Sequence, residues 1–347
     1  MASMPRLAAA VGAGLLCIAA GWWIGRSTAV SGDPGVHAPI GMATATATSA
    51  DAAPATGTGA DSAEPAPAYA LPNTHVHAVP DARAGRAYEV WVDLPPSYVE
   101  NDRPYPVVFT TDADVGFPLI RSLRRRIGAK GQNIEDFVLV GLSFAVGEES
   151  MPSKRRDYTP TDPFARPSPP ANTRAYRRGD TYGQAAAYRD YIERDVFPLI
   201  ASRYRVDMTR SVYVGHSLGG LFGSYVLLTR PEMFRHYVLG SPSLWFDRRT
   251  IFDIEADYAR AHRDLQADVQ LYIGEYETFG DGPRHMKTVD MVGDTHRFAA
   301  TLRQRRYPGL RVHAETLPDE DHLTILPRMI VRGLQRALPG RGPYTGA

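Results

Sequence analysis

The sequence holds a single cysteine, Cys17. That excludes an intrachain disulfide and a cysteine-based metal centre. Lysine is scarce as well: Lys130, Lys154 and Lys287 are the only three, so nearly all positive charge is arginine. Charge of one sign does not dominate, and the formal net charge is +1. A large nucleic-acid surface is therefore not expected. No H-E-x-x-H motif is present, and His75-x-His77 has no third ligand in view, so neither a metal nor another cofactor is expected. Long uncharged apolar runs are absent after residue 24.

The one such run is Leu7–Ile24, between Arg6 and Arg26. It reads as a signal peptide or a signal anchor over residues 1–29, with cleavage possible after Ala29. Either reading exports the chain to the periplasm, the medium or an outward-facing membrane anchorage. Residues 30–70 are rich in Ala, Thr, Gly, Pro and Ser and poor in large apolar residues. Such a segment cannot bury a core and is expected to be a disordered tether. The folded domain is placed at residues 71–340, with a short tail over 341–347.

Inside that domain, short apolar runs alternate with longer amphipathic stretches. Strands are expected at Arg86–Leu94, Tyr105–Asp112, Asp136–Phe144, Arg210–Ser217, Arg235–Ser243, Val269–Glu277 and Arg311–Pro318. The first alternates at period two and suits an edge-side strand. Helical spacing appears over Gln184–Tyr204, Leu218–Thr229, Thr295–Arg306 and Leu323–Leu338. The alternation predicts an α/β fold with a mostly parallel, doubly wound sheet and helices on both faces. Ligands of such sheets sit at the carboxyl ends of the strands.

One motif falls there. Gly215-His216-Ser217-Leu218-Gly219 spells G-x-S-x-G after a strand and before a helix. That context suits a nucleophilic serine on a sharp turn. The Leu218 N–H, at the start of the helix, can donate to an oxyanion, and the loop after Tyr105–Asp112 offers a second donor from Asp112 or Ala113. A serine needs a base. His322, in the loop between the last strand and last helix, is favoured over His285. Glu275, Glu277 and Asp281 compete for the acid, and Glu277 is chosen as the nearest to the strand end. Between Glu148 and Gly183 runs a long aperiodic segment with Arg155, Arg156, Arg166, Arg174, Arg177 and Arg178. Guanidinium groups there suit an anionic or planar aromatic ester, with Arg156 as a binding residue and Tyr158 and Trp245 as a stacking wall.

Seven segments together carry a family resemblance: VVFTTDAD, KRRDYTPT, YIERDVFPLIASRYRVD, GHSLGGLFGSYVLLTRPEMF, GSPSLWF, YIGEYE and DEDH. Over about residues 87–338 the chain resembles the esterase D-like branch of the α/β-hydrolases. R-R-D-Y-T-P-T with S-P-S-L-W is most similar to its siderophore-esterase members. The resemblance implies an α/β-hydrolase fold, with nucleophile at Ser217, base at His322 and acid at Glu277. The family often has Asp-Gly where this chain has Asp112-Ala113. The activity expected is a serine carboxylic-ester hydrolase acting through an acyl-enzyme on siderophore (ferric catecholate) or aryl esters. An acyltransferase and a non-catalytic binding module tethered through residues 7–24 are the alternatives. The only partner expected is a small-molecule ester.

Overall fold

The computed structural model describes residues 69–165 and 176–342. The leader over 1–29, nearly all of the expected tether, Arg166, Arg174 and residues 343–347 lie outside the described residues.

Eight strands form one sheet: β1 (Thr74–Asp81), β2 (Arg86–Asp93), β3 (Tyr105–Thr110), β4 (Val138–Leu142), β5 (Val206–His216), β6 (His236–Gly240), β7 (Ala267–Gly274) and β8 (Leu310–Leu317). Their order is β1-β2-β4-β3-β5-β6-β7-β8. From β4 to β8 all neighbours are parallel, while β1–β2 and β2–β4 pair antiparallel. The strand expected at the edge, β2, is covered by β1. β1 itself escapes a simple pattern, because most of its residues are exposed or half-buried and it carries Pro80.

The central strands read as continuous apolar runs because both faces are buried. Side chains alternate between faces. On β3, Val107 and Phe109 enter one core while Val108 enters the other. On β5, Tyr213 faces the first core while Val212 and Val214 face the second. Each such burial contributes roughly 1.5–3 kcal/mol.

Helices α1 (Ala113–Ile127) and α8 (Ile325–Ala337) cover the second core. The first core is covered by α3 (Ala185–Tyr191), α4 (Phe197–Arg203), α5 (Leu218–Thr229), α6 (Phe246–Ala261) and α7 (Met291–Gln304), with α2 (Ser150–Asp157) alongside. The single helix expected over Gln184–Tyr204 is α3 and α4 joined by a π turn at Ile192–Val196. α5 is apolar all round and almost wholly buried, and it ends where Arg230-Pro231 cannot continue it.

This order positions the site. From β3 the chain crosses to β4 on one side, while β5 pairs on the other. The loops after β3 and β5 diverge and leave a crevice at the carboxyl end of the sheet.

Candidate active site

β5 delivers Ser217 into that crevice. Its backbone stands at φ 56 and ψ −117, a conformation that L residues rarely adopt. Strain of this kind costs about 1–3 kcal/mol and persists only where the surroundings enforce it. Here the Ser217 N–H donates to Gly240 O at 3.0 Å, and its carbonyl accepts from Leu221 N–H at 3.0 Å. Two glycines make the turn possible. A Cβ on Gly215 would lie 2.4 Å from Gly219 O, and a Cβ on Gly219 would lie 2.4 Å from Thr111 Oγ1. A side chain at Gly215 meets backbone and forces the turn apart, whereas one at Gly219 displaces the Thr111 side chain.

His322 Nε2 lies 3.0 Å from Ser217 Oγ, and its Nδ1 lies 2.6 Å from Glu277 Oε2. The three residues come from three different strand ends. Glu277 is fully buried. Its Oε1 accepts from the Ser241 hydroxyl at 2.5 Å and from the Gly274 N–H at 2.9 Å. These donors and the imidazole offset the cost of burying the carboxylate. The other acids stand apart: Glu275 is exposed and accepts from the Asp319 N–H, and Asp281 is exposed. The reason for choosing Glu277 fails, because β7 ends at Gly274, which makes Glu275 the nearer to the strand end, and residues 275–277 form a turn. His285 lies near Thr278 O and edge-on to Tyr276, outside the triad.

The loop is held firmly. Asp321 Oδ1 accepts from the N–H groups of Leu323 and Thr324, and Arg284 Nε donates to Asp321 Oδ2. Behind the imidazole of His322 packs that of His216, with ring centroids 4.7 Å apart. Burial, reinforced by nearby His322 and Lys154, pushes the His216 pKa down to about 3.

Leu218 opens α5, so its N–H has no acceptor within the helix. The loop between β3 and α1 sits against this helix start: a Cβ on Gly219 would also lie 3.3 Å from Asp112 Oδ2. Asp112 is left-handed, at φ 54 and ψ 53, and Ala113 is already the first residue of α1. The positive φ therefore falls on the aspartate, and Ala113 stands in the helix without needing a glycine's freedom. Burial pushes the Asp112 carboxyl up, opposed by Lys154 Nζ at 2.8 Å.

A cavity of about 180 Å³ opens beside Ser217 and Leu218. Tyr176, Tyr182, Trp245 and Phe246 form its aromatic wall, and Met151, Lys154, Arg155 and Ser243 complete it. Tyr176 meets Trp245 edge to face at 6.0 Å and Phe246 at 5.5 Å. Trp245 thus stands where the sequence reading puts it.

Two expectations are corrected. Arg156 is not at the cavity. It is 6% exposed, grips Asp157 through Nε and Nη2 at 2.8 Å each, and reaches Glu148 Oε2 at 2.5 Å. A guanidinium so fully occupied straps the loop and leaves no fork for a ligand. Tyr158 is buried too, between Tyr188 and Phe222 at 5.7 Å each and against the Asp112 backbone. The tyrosine rings at the cavity are those of Tyr176 and Tyr182. Arg155 lines the cavity and pairs with Asp180, while Arg178 lies 4.9 Å over the Phe164 ring. Sequence reasoning missed Lys154, Ser241, Ser243 and His216. Ser241 and Ser243 come after the end of β6 as Ser217 comes after β5, and that signal could have found them.

Known proteins share the sequence and the fold of this chain. Residues 82–313 match the Esterase family, described as "Putative esterase". The ferri-bacillibactin esterase BesA of Bacillus subtilis is 27% identical over 282 residues, which cover 80% of this chain and 93% of BesA. The BES protein of Bacillus cereus superposes with a TM-score of 0.66 at 20% identity, over 78% of this chain and 98% of that one. An IroE-like serine hydrolase from Shewanella oneidensis gives a TM-score of 0.63 at 23% identity, over 76% and 79%. With a sheet of this order, helices on both faces and two thirds of its length matched, the chain belongs to the esterase family of the α/β-hydrolase fold.

Proposed function

We propose that this esterase is a serine carboxylic-ester hydrolase that passes through an acyl-enzyme at Ser217. The observation that carries the reading is the unbroken line Ser217 Oγ, His322, Glu277, with contacts of 3.0 and 2.6 Å. The carboxylate at Nδ1 fixes the tautomer and leaves Nε2 bare to take the serine proton. Ser217 Oγ then attacks the ester carbonyl carbon. The oxyanion is held by the Leu218 N–H and a main-chain N–H of residues 112–113. As the C–O bond breaks, the imidazolium gives its proton to the leaving alcohol. Water, deprotonated by His322, attacks the acyl carbon, and the electron pair of the C–Oγ bond returns to Ser217 with the proton from His322.

The substrate class proposed is a siderophore or aryl ester. BesA is named for a ferri-siderophore. The aromatic wall suits a planar acyl unit. A cavity of about 150 Å³ holds one benzene ring. At about 180 Å³, this one takes a single substituted aryl arm at a time. The uncharged run Leu7–Ile24 supports action outside the cytoplasm.

The test is a fluorophosphonate probe on the full chain, with the adduct located by peptide mass spectrometry and Ser217→Ala alongside. The reading predicts an adduct on Ser217 and none in the variant. Absence of an adduct from folded protein sinks the acyl-enzyme. Hydrolysis of a catecholate trilactone faster than of a simple acetyl ester supports the substrate class, and the reverse order removes it.

A further inference from the structure

The turn after β6, Ser241-Pro242-Ser243, touches both ends of the triad. At one end Ser241 donates to Glu277. At the other, Ser243 Oγ lies 3.4 Å from Ser217 Oγ. We propose that Ser243 is a further catalytic residue, donating its hydroxyl hydrogen to the nucleophile oxygen. The proposal rests on the acyl-enzyme reading above.

The direction of this hydrogen bond is set by proton counting. His322 Nδ1 faces a carboxylate, so it carries the hydrogen, and Nε2 is an acceptor. Ser217 has one hydroxyl hydrogen, and it goes to Nε2. Nothing is left for Ser217 to give to Ser243. The hydroxyl of Ser243 must therefore be the donor. One ordered chain results: Ser243 to Ser217, Ser217 to His322, His322 to Glu277. Without Ser243, the Ser217 hydroxyl can rotate among its staggered wells, and only some of them aim at the base.

The turn is built to hold this hydroxyl in place. Ser241 has φ 42, and its N–H donates to Tyr272 O at 2.7 Å. The Ser243 N–H donates to Ser217 O at 3.0 Å, which ties the two serines by backbone as well. A Cβ on Gly220 would lie 2.9 Å from Pro242 Cα, so α5 packs tightly against the turn. Ser243 is 2% exposed and lines the cavity beside Trp245 and Phe246.

At 3.4 Å the contact is long for O–H···O in the resting state. It strengthens when electron density gathers on Ser217 Oγ: as the proton leaves for His322, and again when the C–Oγ bond of the acyl-enzyme breaks with its pair returning to Oγ. A donor that tightens only then lowers the barrier without tightening substrate binding.

The experiment compares wild type, Ser243→Ala and Ser243→Thr in the full chain. It tracks fluorophosphonate labelling rate, kcat and KM on a p-nitrophenyl ester, and melting temperature. Ser243→Ala is expected to slow labelling and kcat about tenfold and leave KM within about twofold. Ser243→Thr, which keeps the hydroxyl, is expected to recover most of the rate. If Ser243→Ala does not fold, the isosteric pair Ser243→Thr and Ser243→Val decides, with Val slower. Folded Ser243→Ala, or Val equal to Thr, running at the wild-type rate overturns the proposal while leaving the esterase reading intact. A wild type that never labels at Ser217 overturns the esterase reading, and this proposal with it.

Discussion

The carboxyl edge of the sheet and the long segment between β4 and α3 obey different rules. At the sheet edge the ladder sets each residue's place. His216 pairs with Gly240, Gly240 with Tyr272, and Gly274 with Leu317. Strands in this register end at nearly one level, so the residues just beyond their carboxyl ends are brought side by side. Ser217, Ser241, Glu277 and His322 meet for that reason. Among the described residues 147–165 and 176–184 no ladder operates, and apart from Lys154, which reaches Asp112, the ion pairs of this segment are internal. Arg156 closes on Asp157 and Glu148, and Arg155 on Asp180. An arginine there serves equally well as strap or ligand. Residue type assigns a role only where topology has already assigned a place.

The hardest blow to this contrast is aimed at the acid. Glu277→Gln keeps the shape but removes the charge that fixes His322. We expect kcat on a p-nitrophenyl ester to fall between about 10²- and 10⁴-fold, with little change in KM. Full activity from folded Glu277→Gln breaks the rule for the sheet edge, because a buried carboxylate on the base is then only structural. The loop receives the opposite test. Arg156→Ala leaves Asp157, itself 2% exposed, without its ion-pair partner and with the hydroxyls of Tyr88 and Ser153 still donating to it. Urea unfolding is expected to show a loss of about 3 kcal/mol. In folded protein kcat/KM stays within about threefold of wild type. A raised KM at unchanged stability restores Arg156 as a ligand and erases the difference between the regions.

The same contrast explains how much the sequence discloses. β3, β4, β6, β7 and the second half of β5 are legible because burial on both faces makes them apolar runs, and β2 and β8 because apolar and polar residues alternate along them. β1 is not, since an exposed antiparallel edge with His75, His77 and Pro80 has no such signature. α1, with Pro118 inside it, and α6, with Asp247, Arg248 and Arg249 at positive φ near its start, are not among the helices expected from the sequence. Ser217 and His322 are legible because motif and chain order suffice. Glu277 is chosen as the nearest to the strand end, a reason that does not hold because β7 stops at Gly274. Ser241 and Ser243 carry no motif and are signalled only by their place after β6, and His216 has no signal of its own, because its partner His322 lies 106 positions away and only the register brings them together. Arg156 and Tyr158 mislead, because composition cannot tell a buried strap or core ring from a cavity wall.

The smallest effect separates the two regions by pH. His216 belongs to the sheet edge, and its folded pKa is pushed down to about 3, first by burial and then by nearby His322 and Lys154. An unfolded histidine titrates near 6.5. Above that pH both states hold His216 neutral, and it adds no pH dependence. Below it, the unfolded chain takes up a proton that the folded chain refuses. Stability therefore falls as pH falls from about 6.5 toward 3, by up to ~1.4 kcal/mol per pH unit. Between pH 6.5 and 5 the expected loss from this group is about 2 kcal/mol. Urea unfolding of wild type and His216→Gln at several pH values isolates it, because the variant lacks the titration. A flatter slope in His216→Gln locates this acid sensitivity at the sheet edge, behind the catalytic imidazole. Equal slopes move it to other groups, and the paired charges of the 143–184 segment become the next place to substitute.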